Sequence, residues 1–393
     1  MAKVKIQGHA SGSGVLTITA PNTSTDRTIT LPDATATIAT TAATDALTTR
    51  INAGGRKNLI INGDMQVAQR ATTSTATGYK TVDRWQMGAN VGVTQSHLAL
   101  TSGAAYDAGF RSAFKLTNTG AIDTTASQYV SCFQNIEAQD LAKSGWTYKS
   151  SSSSITISFW IKSSVAGTYY VNPMSQDGTK KVYPQSFSLN ANTWTKVEKT
   201  YVGLSSLTFA NDTGNGMQLH ISPFYGTNFT ASSVSTSAWS DYGSATRFPD
   251  FAQNWGASTG ATWEITGVQL ELGSVATNFE HRSYGEELAL CQRYYQFYNG
   301  NYQIHAGRTI SSNRIDLSYT FPTQMRAAPS LEAHDLSSVY FDGGTAFNPS
   351  NPTVSLVHGT VDGFMIRRAC SESVGANLVA SHQVNFLRFS SEI

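Results

Sequence analysis

The chain is short of charge. Lys, Arg, Asp and Glu make up 13% of its 393 residues and nearly cancel, leaving +1. Nucleic acid asks for a basic stripe, and an anionic membrane surface for clustered Lys and Arg. Neither footprint is here, so neither partner is expected. Cysteine is scarce too. Cys132, Cys291 and Cys370 stand far apart, with no Cys-x-x-Cys and no Cys/His spacing for zinc. Such a set fits free thiols, with at most one bridge. No apolar run approaches the roughly 18–20 residues of a membrane span. Met1-Ala-Lys-Val-Lys5 leads into polar sequence, so no secretory signal is expected, and export would be as part of a particle or by lysis. Catalytic signatures are missing as well: there is no H-E-x-x-H and no P-loop. Gly256-Ala-Ser258-Thr-Gly260 matches G-x-S-x-G, but a nucleophile elbow needs a strand before it and a helix after it. Here a loop precedes and a strand follows. The eight His are scattered and read as structural or solvated. No enzyme is expected, and no cofactor.

Polar bulk comes instead from Ser, Thr, Asn, Gln and Gly. With 17 Tyr, 18 Phe and 7 Trp there is enough apolar material for real cores. The length suits two or three domains. Strands announce themselves by alternation. Ile155, Ile157, Phe159 and Ile161 share one parity, against Thr156, Ser158, Trp160 and Lys162 on the other. Thr195–Tyr201 and Met217–Ile221 repeat the theme, with Asp177-Gly178 and Asn62-Gly63 as turns. Many short strands with regular turns predict an all-β chain containing a jelly-roll sandwich. A β-helix would need short regular repeats, and there are none. Further along, Ile315, Leu317, Tyr319 and Phe321 alternate, and Val339–Phe341, Val354–Val357, Phe364–Arg367 and Val384–Phe389 are further strands.

Trp263 to Tyr295 joins these regions. Trp263 and Ile265 lie on one parity, Val268, Leu270 and Leu272 on the other, which predicts a bulge at Gly267. Ser283-Tyr-Gly-Glu286 is a capping box opening a helix, with Leu288, Cys291 and Tyr295 as its apolar stripe. Four segments result: an N-terminal β stem (1–57), the jelly roll (58–282), a linking helix (283–299) and a small C-terminal β-sandwich (300–393). The stem has two alternating strands, Val15–Ala20 and Arg27–Pro32, and an Ala/Thr tract, with too little apolar surface for a core of its own. A short helix is expected at Thr44–Asn52.

The stretch W-E-I-T-G-V-Q-L-E-L-G-S-V-A-T-N-F-E-H-R at Trp263–Arg282, with Cys291-Gln-Arg-Tyr-Tyr295 after it, resembles the end of the main β-sandwich in phage tail-fibre and minor virion proteins. Residues 12–35 resemble the stems of such fibres. Asn58–Asp64 with Val82-Asp-Arg-Trp85 resembles the opening of their carbohydrate-binding-module-like jelly rolls, and Phe321–Pro329 a segment near their C-termini. The resemblance implies a virion protein at the particle surface, made in the host cytoplasm and homotrimeric. Its N-terminal segment would contact other virion proteins, and its β domains would bind a host-surface glycan or protein. A purely structural reading, a head-decorating fibre or tail-fibre adaptor, stands beside it.

Candidate binding residues follow from aromatic chemistry. Between residues 226 and 260 no period emerges, yet rings are frequent, and a loop that long in a compact domain is usually functional. Flat rings suit sugar C–H faces and protein contacts alike. Tyr225, Trp239, Tyr242 and Trp255 are the candidates there, together with Trp160 on its polar strand face; packing against the sandwich or a neighbouring subunit is the alternative. Tyr294–Tyr298 reads as packing between the two β regions. Asn211, Asp212 and Asn215 offer oxygens in a tight turn that could hold a structural calcium ion, or make an Asx turn.

Overall fold

The computed structural model describes residues 57–120, 126–311, 314–341, 346–347, 353–369 and 379–393. All belong to one compact unit, Ala46–Ile393. The stem strands, the Thr44–Asn52 helix and Cys370 lie outside the described residues.

Numbered along the chain, the first strands are β1 (Thr73–Ser74), β2 (Gln86–Ala89), β3 (Val93–Ala99), β4 (Ser112–Asn118), β5 (Tyr129–Glu137), β6 (Ser154–Ser163) and β7 (Gly167–Ser175). Then come β8 (Lys181–Val182), β9 (Gln185–Leu189), β10 (Thr195–Val202), β11 (Asn215–Ser222), β12 (Phe224–Tyr225), β13 (Ser240–Asp241) and β14 (Thr262–Leu272). They form two facing sheets. One runs β1-β3-β4-β14-β6-β10; the other runs β12-β5-β11-β7-β8-β13, with β2 on β5 and β9 on β7. The architecture is all-β, as alternation predicts. Ile155, Ile157, Phe159 and Ile161 are all fully buried between the sheets. Trp263, Phe114, Tyr169 and Leu219 meet them there.

The bulge is where parity places it. β14 advances from Thr266, opposite Trp160, to Gln269, opposite Ser158, so one extra residue is accommodated. Gly267 has φ 62°, and a Cβ on it would lie 2.5 Å from the Phe110 ring. Gly267→Val combines a left-handed backbone with overpacking, and is expected to cost about 2–4 kcal/mol in urea unfolding.

The later strands are β15 (Tyr295–Ser311), β16 (Arg314–Thr320), β17 (Ser330–Phe341), β18 (Ala346–Phe347), β19 (Thr353–Gly359), β20 (Gly363–Ala369) and β21 (Val379–Ser390). Where a small sandwich is expected, these run as one sheet, β18-β17-β21-β15-β16-β20-β19. Repeated register shifts in the long β15–β21 and β17–β21 ladders let the sheet curl. It wraps its own core of Ile315, Leu317, Phe321, Met325, Phe364, Ile366, Leu387 and Phe389.

Helix α3 (Tyr284–Gln292) links the two regions, after two one-turn helices, α1 (Ala104–Asp107) and α2 (Ala138–Ala142). Its capping box forms as read, with Ser283 and Glu286 bonded reciprocally. The stripe differs: the helix buries Glu287 and Cys291, and Tyr295 already opens β15. The chain turns because Tyr294 N–H closes the last turn on Cys291 O, and Glu137 holds the Arg293 side chain at 2.7 and 2.9 Å.

A polar junction fastens the curled sheet to the sandwich. Arg84 pairs with Glu392, donates to Asn135 O at 2.7 Å and lies 3.4 Å over the Tyr294 ring. Arg70 reaches Glu392 at 3.2 Å and lies 3.5 Å over Tyr295. Arg326 donates to Ser391 O and Thr213 O, and Tyr79 OH to Ile393 O. Tyr294 and Tyr295 therefore pack between the two β regions, as their sequence suggests. Burial pushes the Asp83 carboxyl here up to about 6, against the pull of Arg70.

Candidate functional site

The outer face of the six-stranded sheet is read directly from register. Lys196, Trp160 and Thr266 stand in one row; Glu198, Ser158 and Gln269 in the next; Lys162, Glu264 and Lys115 in a third. A cleft of about 360 Å³ opens on this face, with Ser158, Trp160, Lys196 and Gly267 on its floor. Ala108 and Phe110, just past α1, make one wall. Thr277, Asn278, Phe279 and His281 make the other. The walls meet through rings: Phe110, Phe279 and His281 lie 5.0–5.5 Å apart, centroid to centroid. Trp160 is half-buried against this cluster, beside Trp194.

A hydrogen-bonded strap holds the second wall. Glu271 accepts from Thr277 N and Oγ1 at 2.8 and 2.5 Å, and Gln269 accepts from Glu280 N at 2.8 Å. Glu280 in turn accepts from Asn58 N at 2.6 Å, and Arg282 donates to Asn58 O at 2.6 Å and to Glu280 at 2.9 Å. Arg282 also meets Glu287, whose other partner is Asn62 N. Burial raises the Glu287 carboxyl above its ordinary range. Asn58 completes the strap, donating to Val268 O and accepting from Leu270 N and Ile60 N. The Q-L-E, T-x-F-E and R positions of Trp263–Arg282 thus have structural work, which is to fix the loop that walls the cleft.

The aromatic candidates divide. Trp160 faces the cleft. Trp239 and Tyr242 are half-buried, Trp239 donating to Val202 O at 2.7 Å and packed on Tyr183, Tyr242 beside Arg247. Tyr225 is buried in a second ring cluster on the outer face of the eight-stranded sheet, stacked on Phe248 at 4.7 Å. Trp255 is fully buried in the main core and donates to Thr262 O, so neither of its faces is open to a ligand. Much of loop 226–260 thus packs its rings against the sandwich that carries it. Phe110 on one wall and Phe279 with His281 on the other carry no periodic signal, because they sit in two short loops far apart in sequence.

Around Asn211, Asp212 and Asn215 the oxygens are partly engaged. Asp212 Oδ1 accepts from Gly214 N at 2.8 Å as in an Asx turn, Asn215 Nδ2 donates to Asn135, and Asn211 is exposed. Among the described residues no group of His, Cys, Asp and Glu is arranged to hold a metal ion. Ser258 caps a single 3-10 turn (Trp255–Ala257) and leads into β14, which is not an elbow.

His220 lies beneath the second ring cluster, stacked on Phe133 at 4.5 Å. Burial, and then Arg247, pull its imidazole down to about 3. The folded state keeps it neutral while the unfolded chain takes a proton near 6.5, so its contribution to stability falls as pH drops from 6.5 toward 3. The expected slope is about 1.4 kcal/mol per pH unit. Asp83 acts in the opposite sense, its contribution falling as pH rises from 3.8 through about 6. The check is therefore urea unfolding of parent against His220→Phe at pH 5, 6 and 7, where the variant should lack the His220 part of the slope.

No family model matches the chain, and no curated protein does. Solved structures that resemble it include a family 16 carbohydrate binding module, 12% identical, over 45% of this chain and 84% of that one, at a TM-score of 0.22. The structure titled CBM4 structure and function is 13% identical over 54% of this chain and 98% of that one, at 0.28. The tripod from the baseplate of bacteriophage Tuc2009 is 13% identical over 84% and 90%, at 0.26. At these scores the likeness carries nothing over to this chain.

Proposed function

We propose that the chain is a phage virion fibre protein that binds a host-surface glycan or protein through the Trp160 cleft. The observation that carries the binding role is the cleft itself: a half-buried indole on a sheet face, walled by fixed loops and set among hydroxyl, amide and ammonium groups. Such a surface is rigid before a ligand arrives, so little ordering entropy opposes binding. The virion assignment rests on the residues that resemble fibre proteins, as do the homotrimer and attachment through residues 1–57. On this reading the protein acts by binding and performs no catalysis. The architectural alternative, a fibre or adaptor that touches only other virion proteins, is favoured by one observation: Tyr225 and Trp255 pack into the body.

The test is glycan-array and whole-cell binding by the full chain, its Trp160→Ala variant and its Trp239→Ala variant. Trp160→Ala should lose tenfold or more in affinity while Trp239→Ala keeps most of it. Equal binding by parent and Trp160→Ala, both folded, would move the site elsewhere. No binding by the folded parent would favour the architectural role.

A further inference from the structure

Resting on the reading of the Trp160 cleft as a ligand site, we propose that its ligand is an anionic glycan, one bearing a carboxylate or other fixed negative charge, rather than a neutral sugar. The lining supplies the argument. It contains one ammonium, Lys196, and one imidazole, His281, and no Asp or Glu. Lys196 is the cross-strand partner of Trp160, so the ammonium stem starts about 4.5–5.5 Å from the indole's own Cβ. A sugar ring lying on the indole can therefore turn a charged substituent to Lys196 without leaving the platform. Ser158 and Asn278 remain for its hydroxyls.

The carboxylates nearby do not oppose this. Glu198 lies 2.7 Å from Lys196, but both side chains are nearly half exposed, 48% and 42%. An exposed pair of this kind holds weakly and is open to exchange for a ligand anion. Two further acids stand on this face: Glu264 is held by Lys162 at 2.7 Å and Lys115 at 3.9 Å, and Glu271, 3% exposed, is held by Thr277 and by Lys57 at 3.6 Å. On the α1 wall, Asp107 is followed by Arg111, which lies 3.9 Å over Tyr106. A cleft built for neutral sugars would gain from acceptor carboxylates among its lining groups, and this one has none.

The experiment screens the full chain on an array of neutral, uronate-bearing and sialylated oligosaccharides. The best acidic member and its methyl ester are then titrated at low and high salt. The expected result is binding confined to acidic members, about tenfold weaker for the ester, and weaker at high salt. Lys196→Gln should erase the preference for the acid, while Glu198→Gln, by freeing the ammonium, should strengthen acid binding two- to threefold. A purely structural role for this pair would move neither. Equal retention of acidic and neutral members, with both lost in Trp160→Ala, would overturn the anionic ligand and leave the cleft in place. Retention of no glycan by the folded parent would overturn both.

Discussion

Arg282→Met is expected to lose about 3–5 kcal/mol of unfolding free energy, because it strips a buried carboxylate of its counter-charge. The guanidinium serves Glu287, Glu280, Asn58 O and Ile60 O at once. The Glu287 side chain is only 4% exposed, so it has no water to turn to. Methionine fills much of the volume, so the loss reports charge and hydrogen bonds more than a cavity. The double variant Arg282→Met/Glu287→Gln should recover part of the loss, since the orphaned charge goes with its partner. Urea unfolding of the three chains settles it. A single-variant loss under 1 kcal/mol would mean that the strap is decorative. A further effect is expected at the cleft, where the wall loses its anchor: ligand affinity should fall in a variant that is still folded.

Arg84→Met is expected to cost a similar amount, about 3–5 kcal/mol, but with a different signature. Its side chain is 1% exposed, and it joins the sandwich to Glu392 of the curled sheet. Removing it leaves Glu392 to Arg70 alone and takes the cation from the Tyr294 face. The two β regions should then unfold in separate steps where the parent unfolds in one. Limited proteolysis that still cuts the variant only when the whole chain melts would refute this.

The sandwich is legible wherever period two runs unbroken. Ile155 to Ile161 declares its inner face, and the parity break at Gly267 declares its bulge, because one buried face penalises any slip. The capping box at Ser283 is legible for the same local reason. Tyr295 is not: its spacing continues a helix whose end is set by Glu137, more than a hundred residues away. The aromatic loop is legible as unusual but not in direction. Without a period, nothing local says whether Tyr225 and Trp255 face in or out. Trp160 could be singled out because it interrupts a polar face. Lys196 and the ring wall could not, since strand register and two distant loops bring them to it.

The Glu392 clasp has a consequence in time. Arg70 and Arg84 precede their carboxylate by 322 and 308 residues. At about 5–20 residues per second of synthesis, both arginines join the chain about 15–65 s before Glu392 does. During that interval the sandwich can form its two sheets, but its junction stays open at Tyr79 and Asn135, whose partner Ile393 is still to come. A chain stopped short of Glu392 would stay in that state for good and be open to proteases. Closing the junction therefore waits on synthesis: only molecules translated through Glu392 acquire the clasp.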